Sequence, residues 1–214
     1  SSSSSDNTVT GNTCNNNNSY GIYLSSSSDN TVTGNTCNNN YNYGIRLYPS
    51  SNNNTITGNT CNNNYNYGIY LSSSSDNTVT GNTCNNNYYN GIYLYSSSNN
   101  TITGNTCNSN YDGISLDSSS NNNTITGNTC NNNNYGICLY PSSNNNTITG
   151  NTCIRGTGLP TDYDENQYTI RLVGATNNYN LISNNNCMGK AVVVGGGTGN
   201  SAWGNKYDSG NDLP

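Results

Sequence analysis

The sequence predicts an all-β chain, a right-handed parallel β-helix (β-solenoid) of about nine rungs of 23 residues. Three observations predict it. The block N-T-[VI]-T-G-N-T-C-N recurs at a nearly fixed period, the apolar residues within each copy alternate, and the residues between copies are turn formers. Composition alone points elsewhere. Of 214 residues, 29% are hydrophobic, 7% are charged and about a quarter are Asn. An ordinary globular domain has roughly 45–50% apolar and about 25% charged residues, so a bulky single core is excluded. Low hydrophobicity is also the signature of disorder. Disordered chains, however, are usually rich in charge and Pro, and this one has four Pro.

The period decides between the two. Cys recurs at Cys14, Cys37, Cys61, Cys84, Cys107, Cys130 and Cys153, at spacings of 23, 24, 23, 23, 23 and 23. The first copy of the block is Asn7-Thr8-Val9-Thr10-Gly11-Asn12-Thr13-Cys14-Asn15. A second block follows, Gly21-Ile22-Tyr23-Leu24, with equivalents starting at Gly44, Gly68, Gly91, Gly113 and Gly136. Two degenerate copies close the chain. One ends at Cys187, 34 residues after Cys153, which is one repeat plus an insertion. The other runs from Asn200 to Tyr207, with Tyr in the Cys position. The single domain therefore divides into regular rungs at 1–153, a loop insertion at 154–168, and degenerate rungs with a C-terminal cap at 169–214.

Each element follows from local pattern. Val9 lies between Thr8 and Thr10, and Ile22 and Leu24 flank Tyr23. Period two means strands. Only Val9, Cys14, Ile22 and Leu24 point inward in the first rung, too few to stabilise one coil, but stacked coils share a continuous core. Parallel crossovers favour the right hand. At about 4.8 Å between strands, nine rungs make a rod about 40 Å long. Asn12, Asn35, Asn59, Asn82, Asn105, Asn128 and Asn151 recur at one turn, where Asn tolerates left-handed backbone angles. Stacked at strand spacing, their amides can form an Asn ladder.

The pattern N-T-I-T-G-N-T-x-N-N-N-x-x-Y-G-I-Y-L-x-x-S-S-N-N resembles the NosD-type parallel β-helix repeat over nearly the whole chain. The resemblance implies the fold and a surface or secreted protein, of the sort abundant in methanogenic archaea. It implies no single function, because the repeat occurs in copper-site maturation proteins, carbohydrate-active proteins and surface proteins. The position filled here by Cys is usually Ile or Val in that repeat, so the Cys column belongs to this chain.

Several functions are constrained by residue types. With no His, Ser-His-Asp and Cys-His nucleophile systems and His-metal sites are excluded. Two Lys and three Arg make no basic track, which argues against nucleic acid as a partner. No apolar run approaches the roughly 20 residues of a membrane span. The chain starts in a Ser run with no visible signal peptide, which reads as a mature or trimmed segment.

Three surface or core features are candidate sites. The first is the core Cys column of Cys14, Cys37, Cys61, Cys84, Cys107, Cys130, Cys153 and Cys187. Its rung spacing of about 4.8 Å falls inside the Cα window for disulfides. Neighbouring rungs can pair; the alternative is a column of reduced thiols acting as small hydrophobes. Cys138 takes the outward Tyr23-equivalent position and is the candidate intermolecular thiol. The second feature is an outward Thr array made of seven T-x-T pairs: Thr8 with Thr10, Thr31 with Thr33, Thr55 with Thr57, Thr78 with Thr80, Thr101 with Thr103, Thr124 with Thr126 and Thr147 with Thr149. It resembles the ice-binding face of β-solenoid antifreeze proteins, although Thr also simply favours strands. The third is outward Tyr, including Tyr23, Tyr70 and Tyr93, which suits a packing interface or sugar stacking. Five N-x-[ST] sequons offer glycosylation points.

No catalytic, cofactor-binding or metal-binding residue is assigned. The acids Asp162, Asp164 and Glu165, with Arg155 and Arg171 nearby, are adjacent on the insertion and read as a solvated loop; Asp112 and Asp117 lie about two rungs away. The resulting expectation is a non-enzymatic extracellular or cell-surface structural protein. It would be a subunit of a sheath, fibre or surface layer that self-associates into a polymer through its β-helix edges and faces. Ice binding through the T-x-T array and carbohydrate binding or cleavage are the alternatives.

Overall fold

The computed structural model describes residues 3–154, 168–188 and 192–206, and the chain winds as a parallel β-helix of about eight turns. The insertion acids, Arg155 and Tyr207 lie outside the described residues. Two strands recur in each turn. The short T-x-T strand, Thr8–Thr10 in the first copy, stacks into a nine-stranded sheet ending at Ser201–Trp203. The longer G-I-x-L strand, Tyr20–Ser25 in the first copy, stacks into an eight-stranded sheet ending at Val193–Val194. The third side is a single bridging residue per turn, Thr13 pairing with Thr36, Thr36 with Thr60, and so on. Every pairing is parallel and keeps repeat register, for example Val32 on Ile56 and Ile69 on Ile92.

The core is a narrow column. Val32, Cys37, Ile45 and Leu47 fill one rung and are wholly buried, and the same four positions recur along the chain. In the first rung Val9 and Cys14 are only partly buried, because no rung covers them from below.

Two glycine columns have different causes. Gly34 and its equivalents have φ near +62° with open space around a would-be side chain, so the turn itself demands Gly. Gly91 and its equivalents face the neighbouring coil. A Cβ there would lie 2.6 Å from the Gly113 carbonyl oxygen and 2.8 Å from Cys107 Cβ.

The Asn12-equivalent column does not hold the left-handed positions that its turn location suggests. Those fall to the preceding Gly, and to other Asn positions such as Asn39, Asn63 and Asn86. Asn35, Asn59, Asn82, Asn105, Asn128 and Asn151 are instead buried at the corner. The Asn82 side chain donates to Ile56 O at 2.9 Å, Thr80 O at 3.1 Å and Asn105 Oδ1 at 3.0 Å. Its own Oδ1 accepts from the Asn59 backbone N–H and side-chain amide. The corner turns strand carbonyls away from the sheet ladder, and a buried carbonyl without a partner is costly. The amide supplies that partner in every rung.

Candidate functional site

Outward residues of the longer strands form vertical columns. The first reads Tyr20, Tyr43, Tyr67, Asn90, Asp112, Tyr135 and Tyr168 in unbroken register. The second reads Tyr23, Arg46, Tyr70, Tyr93, Ser115, Cys138 and Arg171. Rings stack up the first column, Tyr20 on Tyr43 at 5.4 Å and Tyr43 on Tyr67 at 5.3 Å. The stack resumes with Tyr135 on Tyr168 at 5.9 Å. In between, Asn90 and Asp112 interrupt the first column and Ser115 and Cys138 shorten the second.

The missing rings leave a hollow of about 190 Å³, walled by Tyr67, Tyr89, Tyr93, Tyr111 and Tyr140, with Asn90, Asp112 and Asp117 among its lining. Asp112 is 1% exposed. Its Oδ2 accepts a hydrogen bond from the Tyr140 hydroxyl at 3.2 Å. Among the described residues, its Oδ1 is buried without a hydrogen bond of good geometry. Burial pushes the carboxyl up to about 7, against the Tyr140 and Ser115 hydroxyls and the Arg171 charge, which favour the ionised form. The Ser115 hydroxyl is itself held by the Asn90 amide at 2.7 Å.

A second acid and phenol pair completes the wall. The Tyr93 hydroxyl donates to Asp117 Oδ2 at 2.9 Å. Burial, then the adjacent carboxylate, raises the pKa of both Tyr93 and Tyr140, so each stays a phenol and a proton donor. Beyond the hollow, the Arg171 guanidinium donates to the Tyr135 hydroxyl at 2.9 Å and lies 4.8 Å from the Tyr168 ring centroid.

Cys138 corrects one expectation. It stands in the outward register, outside the core cluster, yet it is wholly buried. It lies beneath this outer layer of side chains, within hydrogen-bond reach of Tyr140, and burial raises its thiol pKa well above the ordinary value. An intermolecular bond through it would require that layer to open. The other eight cysteines line the core, Cys14 partly buried and the rest buried, and all nine are free thiols. No rung-to-rung bridge joins the column cysteines in this structure. Burial raises the pKa of Cys84 and Cys130 well above the ordinary value and pushes Cys187 up to about 12.

The Thr array keeps its register rung on rung, Thr8 on Thr31 and Thr78 on Thr101, but it is less open than strand alternation alone suggests. Thr8, Thr10, Thr101 and Thr124 are exposed. Thr33 and Thr57 are half-buried, as are Thr31, Thr55, Thr78, Thr80, Thr103, Thr126, Thr147 and Thr149. The threonines keep the outward register, and the stacking itself accounts for their partial cover. Thr33 pairs with Thr10 on one side and Thr57 on the other, and Thr57 with Thr33 and Thr80, so each side chain is flanked by its neighbours at strand spacing. Thr103 and Thr126 also turn their hydroxyls onto the carbonyls of Thr126 and Thr149. Tyr23, Tyr70 and Tyr93 are likewise half-buried, with Tyr70 stacked on Tyr93 at 5.3 Å.

Distance along the chain from the insertion acids hides Asp112 and Asp117 in the sequence, where they stand as isolated acids on one strand. A signal was present. The first column reads Tyr in five of seven rungs and breaks at Asn90 and Asp112. The segment from Cys107 to Gly113 is also one residue shorter than that from Cys84 to Gly91.

Solved structures share the fold. A periplasmic alginate epimerase, AlgG, matches at 24% identity and TM-score 0.63 over 86% of this chain and 47% of its own, so the chain spans about half its length. The A-module of the Azotobacter vinelandii mannuronan C-5 epimerase AlgE4 matches at 17% identity and TM-score 0.69, covering 94% of this chain and 57% of that one. An alginate lyase from Paenibacillus sp. str. FPU-7 matches at 16% identity and TM-score 0.72, covering 94% and 77%. No curated protein matches. The expectation of a non-enzymatic chain is corrected by these structures: the same fold carries alginate and mannuronan epimerases and an alginate lyase, so a regular β-helix is no argument against catalysis.

A family model described as "Periplasmic copper-binding protein (NosD)" matches residues 1–133 and 66–212. The residues do not fit a copper centre. The chain has no His, and among the described residues no three Cys, Asp or Glu side chains converge as ligands. The stacked thiols lie in a closed apolar core, where burial opposes the thiolate that a soft metal requires. What the match does establish is lineage, since it spans nearly every rung: the chain belongs to the NosD family of parallel β-helix repeat proteins.

Proposed function

We propose that this chain acts on a polysaccharide, one sugar unit of which enters the hollow and exchanges protons with Asp112 and its flanking phenols. The observation that carries the reading is Asp112 itself, buried, held near neutrality and left with one oxygen without a hydrogen bond of good geometry at the break in the tyrosine column. A group whose pKa lies near the working pH can both take and give a proton. Asp112 lies between two phenols, Tyr93 of the rung before and Tyr140 of the rung after. Together they offer an acceptor and a donor, so a proton taken by Asp112 can be matched by one returned from a phenol. The tyrosine walls supply faces for the apolar side of a sugar ring. A hollow of about 190 Å³ is below the 300–1,000 Å³ usual for drug-sized ligands, which suits a single ring. The alginate epimerases and lyase of like fold support the substrate class, and the family description supports a location outside the cytoplasm.

The test is incubation with alginate and a panel of neutral and acidic polysaccharides, read by nuclear magnetic resonance for altered stereochemistry and by ultraviolet absorbance for new unsaturated ends. Activity lost in Asp112→Asn and reduced in Tyr140→Phe supports the reading. Wild-type inactivity across the panel, or full activity in Asp112→Asn, sinks it.

A further inference from the structure

A second tyrosine stack runs along the edge of the solenoid, outside the hollow. Tyr41 stacks on Tyr65 at 5.3 Å and Tyr65 on Tyr88 at 5.5 Å, with ring planes within 2° and 4° of parallel. These rings are 62%, 54% and 63% exposed. Large exposed aromatic patches mark binding surfaces. The preceding rung carries Asn18 where the next carries Tyr41, so the outer side of Tyr41 is not capped by a further ring. A groove of about 380 Å³ opens there, lined by Tyr41, Tyr65 and a row of amides.

Those amides are chemically distinct from the buried ones. Asn16, Asn39 and Asn63 stand in the left-handed region with φ of 57°, 55° and 56°, and their side chains are exposed. Among the described residues, the side chains of Asn39 and Asn63 make no hydrogen bond within the chain. The open outer face of Tyr41, followed by the exposed edges of Tyr65 and Tyr88 and set beside a row of unengaged amide donors and acceptors with no charged side chain in the lining, is recognition chemistry for a sugar: the ring face packs on C–H groups while amides take hydroxyls. The strip is continuous with the hollow. Tyr88 meets Tyr89 edge-on at 4.8 Å, and Tyr89 lines the hollow beside Asp112.

We propose that Tyr41, Tyr65 and Tyr88 with the Asn39–Asn63 amide row form a second binding site, which holds the uncharged hydroxyl-bearing face of a polysaccharide lying along the solenoid axis and leads it to Asp112. This rests on the polysaccharide reading for the substrate class, and it is tested by binding alone. The experiment is native electrophoresis through gels containing hydroxyethyl cellulose or alginate, at low and high salt. The expected result is retardation of the wild type that persists at high salt. The Tyr41→Ala/Tyr65→Ala variant should bind about tenfold more weakly, the loss of roughly one aromatic contact. Tyr65→Phe, which keeps the ring, should be retained like wild type. Far-ultraviolet circular dichroism on each variant separates lost binding from lost fold. Wild-type mobility unchanged by both polymers overturns the second site, as does equal retardation of the double Ala variant. So does retardation abolished by salt, which would mark a charge effect. A wild type that is retarded but converts nothing removes the catalytic reading and leaves this one standing.

Discussion

Replacing Asp112 with Asn should remove a pH dependence of stability that runs opposite to that of a salt-bridged carboxylate. The ordinary Asp value is 3.8, and burial pushes Asp112 up to about 7. Between those values the folded chain retains a proton that the unfolded chain has released. The stabilising contribution is therefore complete below the unfolded value, declines as pH rises, and is exhausted once the folded group has ionised. The window spans about three pH units, each worth 1.36 kcal/mol, so the change is about 4 kcal/mol at most. Asn presents a neutral amide at the same place and has nothing to titrate. The assay is urea unfolding followed by far-ultraviolet circular dichroism, for both proteins, across pH 4 to 8. Other acids affect both curves alike, so the difference between wild type and Asp112→Asn isolates one group. That difference should favour the wild type most at the acid end and shrink by several kcal/mol toward neutrality. A difference that stays flat across the window, or grows with pH, would refute the account of Asp112 as a carboxyl held protonated by burial.

Other expected outcomes concern the scaffold. Asn82→Ala strips partners from Ile56 O, from the Asn59 backbone N–H and from the Asn59 and Asn105 amides. It should cost about 3 kcal/mol or more in urea unfolding, because each buried polar group left unmade costs about 1–3 kcal/mol. Two glycine substitutions should separate their two causes. Gly91→Ala pushes a Cβ onto the Gly113 carbonyl and Cys107 and should cost about 1–3 kcal/mol by overpacking. Gly81→Ala meets open space at φ +62° and should cost about 1–2 kcal/mol from backbone strain alone. Thiol titration with a chromogenic disulfide should find one fast thiol, Cys14, in the folded chain and all nine in denaturant without reductant. A single titratable thiol in denaturant would instead show four bridges and overturn the free-thiol core.

The fold was legible because its determinants are local and repeated. A 23-residue period with alternating apolar residues leaves one packing solution, and Val32, Cys37, Ile45 and Leu47 fall on the predicted axis in rung after rung. Three things were not legible for one physical reason. Facing in or out follows from the alternation of a single strand, whereas exposure depends on which side chains from neighbouring rungs lie over it. Cys138 keeps its outward register but is covered from the side of Tyr140 and Arg171. Asp112 likewise reads as a surface acid until the tyrosines of adjacent rungs are placed around it. Thr33 and Thr57 face outward yet are half-covered by the threonines stacked on either side. The Asn12-equivalent column failed differently. A turn location suggested backbone tolerance, but the need that governs the position is a buried carbonyl seeking a donor, and that is visible only when the corner closes.

In a solenoid, a site can arise by omission rather than by construction. Each rung repeats the backbone of the last, so changing an outward residue leaves the ladder and core untouched: Ile92, Ile114 and Ile137 stack as usual beneath Asn90 and Asp112. Dropping two rings from a stacked column opens a hollow whose walls are the rings that remain. Those same rings dry the carboxyl placed inside it, and that dryness moves its pKa. Position, cavity and tuned acidity thus share one cause, the break in the column at Asn90 and Asp112. It follows that refilling the break should close the hollow without disturbing the coil. Asn90→Tyr extends the Tyr43–Tyr67 stack by one ring; it should cost only about 1 kcal/mol, the Asn90–Ser115 hydrogen bond, and keep the far-ultraviolet circular dichroism of the coil while abolishing any turnover, a combination that loss of a structural residue would not produce.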